Sequence, residues 1–185
     1  MIALNNSKDD SLTRKEFEQL WEAAKRGDEK DRLIFVCAGH LGMRANEIVE
    51  LEKGWIDFQE QTLTIPRDVA KYEASARSLY YGSMNERVER VLSQYFQYHD
   101  DSEINNRNFI WRRVKNMSKR SELTRKVYPH ALRSTCAFML ATAGFNAQGL
   151  KEFMGWSKLE TAEKYIRSAG QASRQQLEDN ADKLW

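Results

Sequence analysis

Proline is nearly missing from this chain of 185 residues: there are two, Pro66 and Pro129, and only nine glycines. A loop-dominated all-β protein needs more turn-forming residues than that, so helix should dominate. Cysteine is equally scarce. Cys37 and Cys136 fall inside apolar helical patterns with no Cys or His at metal-ligand spacing, and read as buried thiols. No cluster of carboxylates stands out that would hold a divalent ion. No apolar run approaches the roughly 20 residues needed to span a bilayer, and Met1 to Asp10 lacks the apolar centre of a signal peptide. The expectation is a soluble, cytoplasmic protein with no membrane partner, no cofactor and no metal.

An excess of one charge is also lacking, the formal net charge being +2, but the charge is unevenly spread. Between Trp111 and Lys126 stand seven bases (Arg112, Arg113, Lys115, Lys119, Arg120, Arg125, Lys126) against one acid, Glu122, so the rest of the chain is mildly acidic. Such a block is either a solvated surface or the footprint of a polyanionic partner. What the chain does have is 41% hydrophobic and 11% aromatic residues, enough to exclude disorder and to build one core.

Residues 1–12 read as a polar tail and 13–185 as one domain. Thr13 and Glu16 stand at capping-box spacing, Leu12 and Phe17 as a hydrophobic staple, and Phe17, Leu20, Trp21 and Ala24 form the stripe of a first helix that stops at Gly27. A buried helix should run from Asp28 to His40, followed by a short one with Arg44 at its start. A guanidinium there opposes the macrodipole, so it either pairs with Glu47 or serves something else. Short strands are expected at Trp55–Phe58, Thr62–Pro66 and Ser78–Tyr81, with Lys71 on the last connection, and helices over 84–99 and Phe109–Ser118. Pro129 suits the first position of a helix reaching Ala143, on which His130 and Arg133 share one face. Asn146 caps a short helix ending at Gly155; Ser157 and Glu160 introduce a helix bearing Tyr165; a further polar helix is expected over Gln171–Leu184. The fold class is α+β, mainly helical, with a small antiparallel β-sheet at one edge.

The motifs Leu41-Gly42-Met43-Arg44-Ala45-Asn46-Glu47-Ile48, Tyr128-Pro129-His130-Ala131-Leu132-Arg133, and Phe153-Met154-Gly155-Trp156-Ser157 through Tyr165 follow one another in this order. In them the sequence resembles the catalytic domain of the tyrosine recombinase, or phage-integrase, family. The resemblance implies that family's fold and a site made of Arg44, Lys71, His130, Arg133, Trp156 and Tyr165. Trp156 stands where His is more common, and Arg77 matches the arginine that follows the lysine, favouring Lys71 over Lys53. It implies site-specific recombination through a transient 3′-phosphotyrosyl link, double-stranded DNA as partner, and a homotetramer on DNA that is monomeric or weakly associated alone, in a prokaryotic or viral setting. The resemblance also leads us to expect that the helical amino-terminal domain that completes the family's clamp on DNA is not included in residues 1–185, as in a catalytic fragment or a minimal version.

The residues carry the same chemistry without the name. Arg44 and Arg133 can hold the non-bridging oxygens of a phosphodiester, where fixed donors are usually the largest catalytic contribution. Tyr165 is a nucleophile that must be activated, by the arginine field or by His130, since a phenol ionises near pH ~10. Lys71 can protonate the leaving oxygen, and the indole N–H of Trp156 can donate to phosphate but cannot carry a proton. A type IB topoisomerase and a non-catalytic DNA-binding module of the same fold are the alternatives.

Overall fold

The protein is described by a computed structural model over residues 10–69, 76–84 and 86–179. The expected capping box is present: Thr13 Oγ1 accepts from the Glu16 N–H and Glu16 accepts from the Thr13 N–H, opening α1 (Arg14–Lys25). Next come α2 (Glu29–Gly39) and α3 (Ala45–Val49). A single 3-10 turn, Lys53–Trp55, leads into β1 (Ile56–Asp57), which is shorter than the alternating pattern implies because Asp57 folds back to accept from the N–H groups of Gln59 and Glu60. β2 (Thr62–Ile65) and β3 (Arg77–Tyr80) complete an antiparallel sheet in the order β1-β2-β3, with Leu63 opposite Leu79. Lys71 lies outside the described residues.

After the sheet come α4 (Arg87–Phe96), α5 (Arg107–Arg120), α6 (Pro129–Thr142) and α7 (Ala147–Met154). α5 opens earlier than its apolar stripe because the Asn106 side chain caps it. Pro129 is in the first turn of α6. α8 (Leu159–Asp179) passes straight through Gly170, so the expected break there is absent. One glycine costs a helix only about 1 kcal/mol, and it terminates one where its φ turns positive, as at Gly144 and Gly155.

Every residue of α2 from Leu33 to Gly39 is buried, and α1, α4, α5 and α6 pack around it. A second, smaller core joins Cys136, Ala137 and Ala141 of α6 to Leu150 and Met154 of α7 and to Ala162, Tyr165 and Ala169 of α8. α6 therefore bridges both cores, and both cysteines are free and buried as expected.

The basic block divides. Asp31 of α2 is buried, and both Arg113 and Arg120 of α5 pair with it; Arg113 Nε is 2.6 Å from Asp31 Oδ1 as a charge contact without hydrogen-bond alignment. Arg113 also pairs with Asp28. These two arginines thus brace α5 against α2, with guanidinium charge directed at an internal carboxylate as well as at the surface that the sequence reading assigned to a polyanion. Arg125 donates to the Ser11 carbonyl, whereas Arg112, Lys119 and Lys126 are exposed. Asp31→Ala removes one buried anion and leaves two half-exposed cations, so it is expected to destabilise by about 2–3 kcal/mol. For a domain of this size that is a fall in melting temperature of about 8 °C. A thermal melt within about 1 °C of the parent would show that the brace is not structural.

Candidate active site

Three segments distant in sequence converge at the C-terminal end of α7. Gly42, in the turn after α2, has φ +58°, and a Cβ there would lie 2.7 Å from Met154 Sδ, so this position needs glycine for both its conformation and its packing. Gly155 caps α7 with φ +63°, and a Cβ on it would come within 2.6 Å of Arg77 Nη1. These close approaches put two backbone carbonyls, Gly42 and Gly155, among three guanidiniums.

Arg133, one turn into α6, is only 8% exposed. Its Nη1 donates to the Gly42 carbonyl and its Nη2 to the Met154 carbonyl at 2.5 Å. Arg44 is half-buried, with Nη2 donating to the Gly155 carbonyl at 2.6 Å and Nη1 to Glu47 Oε1 at 2.9 Å. The pairing with Glu47 foreseen for Arg44 is therefore real, yet it does not use up the site's charge. Arg77 is bidentate on the same carboxylate, at 2.7 and 2.9 Å. Burial alone would raise the Glu47 pKa; the hydrogen bonds and charge of Arg77, then Arg44, outweigh it and hold the carboxyl below its usual range. Burial, then repulsion from Arg44 and Arg77, pushes Arg133 down to about 9, still well above neutrality, so it remains a cation. Three guanidiniums share one carboxylate, and the excess positive charge suits an anion.

Tyr165 is 7% exposed, its ring stacked on Trp156 at 5.2 Å and 14° between planes. Its hydroxyl donates to Ser134 Oγ at 3.1 Å. Burial raises its pKa, while the Ser134 hydrogen bond and the Arg133 charge pull the other way. Arg133 in turn lies 5.9 Å from the Trp156 ring. The phenol is thus stowed beside the arginines, with its hydroxyl held by a neighbour of Arg133.

Of the three histidines, His40 sits among Phe17 and Phe35, and burial, then the Arg87 charge, lowers its pKa to about 3. His99 lies between Glu103 and Glu29, whose hydrogen bonds raise its pKa. His130 alone belongs to the same helix face as Arg133, and it is exposed at the N-terminus of α6. An open cavity of about 1200 Å³ beside the site is lined by Arg77, Gly155, Trp156 and Ser157. Among the described residues no three His, Cys, Asp or Glu side chains converge as a metal-binding group. Ser134 was not visible as a site residue in the sequence, because nothing local marks it; Glu47 and Arg77 were visible only as a neighbour of Arg44 and as a register mark for the lysine.

The profile of the Phage integrase family matches residues 10–172. The chain belongs to that family. Within the phage integrase family it is 25% identical over 166 residues to the tyrosine recombinase XerA of Thermococcus kodakarensis, an alignment covering 85% of this chain and 57% of the relative. It is 28% identical over 170 residues to the type 1 fimbriae regulatory protein FimB of Escherichia coli K12, covering 82% and 80%. The crystal structure of XerA recombinase superposes with a TM-score of 0.76 at 21% identity, over 90% of this chain and 64% of that one. The chain spans a little over half the length of the XerA relatives it matches. The mainly helical integrase fold with a three-stranded antiparallel sheet is as the sequence led us to expect. Among the described residues no helix is long and apolar enough to cross a membrane.

Proposed function

We propose that this chain is the strand-cleaving and strand-rejoining part of a site-specific DNA recombinase. The observation that carries the reading is the convergence of Arg44, Arg133 and Tyr165, from three separate segments, around an excess of guanidinium charge. In the proposed step the Tyr165 oxygen attacks the scissile phosphorus, the bond from phosphorus to the 5′ oxygen breaks, and a 3′-phosphotyrosyl link forms. The phenol proton passes to a base, for which His130, exposed on the helix that carries Arg133, is the candidate, and the 5′ oxygen takes a proton from Lys71. Arg44 and Arg133 hold the non-bridging oxygens as charge develops on them, and Trp156 supports the Tyr165 ring while offering its N–H to phosphate. Rejoining is the same step reversed by a 5′ hydroxyl. The partner is double-stranded DNA at a recombination site, bound by a homotetramer in the cytoplasm, with Arg112, Lys115, Lys119 and Lys126 as the part of the basic block available to phosphates.

A randomised library of nicked duplexes tests this. Protein–DNA adducts that survive detergent are recovered, the DNA is sequenced, and the modified peptide is identified by mass spectrometry. The expected result is DNA attached through its 3′ phosphate to the peptide containing Tyr165. Binding without any adduct would favour a non-catalytic module, and supercoil relaxation without recombinant product would favour the topoisomerase reading.

A further inference from the structure

We propose that Arg77 is a positioning residue: by neutralising Glu47 it leaves the charge of Arg44 free to act on an anion. Glu47 is fully buried and receives four donors. Its Oε1 accepts from Arg44 Nη1 at 2.9 Å and Arg77 Nη1 at 2.7 Å; its Oε2 accepts from the Arg44 backbone N–H at 2.7 Å and Arg77 Nη2 at 2.9 Å. The Arg77 side chain is only 7% exposed, so both ends of its fork act through this carboxylate.

A carboxylate paired one-to-one with Arg44 would turn that guanidinium into half of a neutral ion pair. With Arg77 on its other side, Glu47 is already compensated, and Arg44 keeps a net positive field. The same side chain touches the second anchor of Arg44. Gly155 has no Cβ and packs directly on Arg77, and the Gly155 carbonyl accepts from Arg44 Nη2 at 2.6 Å. Arg77 thus supports Arg44 at two points, by charge through Glu47 and by packing through the turn after α7.

What the anion is, a scissile DNA phosphate, rests on the strand-cleavage reading. The role of Arg77 is tested in the full chain with R77Q, R77K and the double variant E47Q/R77Q, on a duplex recovered from the library. R77Q is expected to lower the saturating rate of adduct formation about 100-fold while the half-saturating DNA concentration stays within about threefold. R77K should recover about tenfold of that. The double variant removes both charges and should be about tenfold faster than R77Q; a purely structural Arg77 would make it as slow or slower. R77K and the double variant carry the comparison if R77Q does not fold. Calorimetry with inorganic phosphate forms a second arm, in which R77Q weakens binding about tenfold and the double variant restores it. If the wild type forms no adduct but the phosphate affinities keep this order, the strand-cleavage reading falls and the role of Arg77 stands. If adduct forms and the double variant is no faster than R77Q, or if the phosphate affinities do not differ, the role of Arg77 is overturned.

Discussion

Tyr165→Phe is expected to form no detergent-resistant adduct on any duplex that traps the wild type, a loss of about ten-thousandfold or more. The substitution removes one oxygen and keeps the ring, which stacks on Trp156 and packs in the small core shared by α6, α7 and α8. Its only described polar contact, the hydrogen bond to Ser134, is lost, leaving a buried serine hydroxyl unpartnered at a cost of about 1 kcal/mol. Fold and DNA affinity in a gel-shift assay should therefore survive, so that loss of the adduct reports chemistry. The pH dependence has a definite sign. Because burial holds the Tyr165 pKa above its ordinary value of 10, the docked phenol stabilises the fold below that value and this contribution is lost as the pH rises through the raised pKa. Tyr165→Phe should lack that alkaline loss. Since attack needs the phenolate, the wild-type cleavage rate should rise with pH through the neutral range. An adduct persisting in Tyr165→Phe would move the nucleophile elsewhere.

That the Tyr165 ring would be stowed could not have been read from the chain. A tyrosine on a helical stripe can face solvent or core, and which one depends on how α8 packs on α6 and α7. Local signals fared better: the Thr13–Glu16 box, Pro129 at the start of α6 and Gly155 at the end of α7 act over three or four residues, and each falls where its chemistry requires. The ion pairs divide along the same line. Glu47 is three residues from Arg44, a spacing visible in the sequence, but Arg77 is thirty residues away across the sheet. The internal pairing within the basic block was hidden for the same reason, since Asp31, which takes Arg113 and Arg120, precedes them by more than eighty residues. Its charge is local; its partner is not.

Arg133→Ala is expected to slow adduct formation about 1,000-fold, equivalent to about 4 kcal/mol of transition-state stabilisation, with a much smaller loss of stability. The guanidinium holds the Gly42 and Met154 carbonyls, and leaving both without a donor costs about 2–4 kcal/mol. Part of this is offset, because a cation whose burial, then repulsion from Arg44 and Arg77, lowers its pKa to about 9 is removed with it. A net loss of about 1–2 kcal/mol leaves a folded protein, measurable by urea denaturation. Arg133→Lys keeps the charge, but one ammonium on a flexible stem cannot span two carbonyls and a phosphate, so about a 100-fold loss is expected. The arginine's two jobs can be separated by the substrate. A methylphosphonate at the scissile position replaces a charged oxygen with a neutral methyl, so a residue that neutralises that oxygen matters less on it. The deficit of Arg133→Ala should shrink at least about tenfold on methylphosphonate DNA. An equal deficit on both substrates would mean that Arg133 acts only as the prop between Gly42 and Met154.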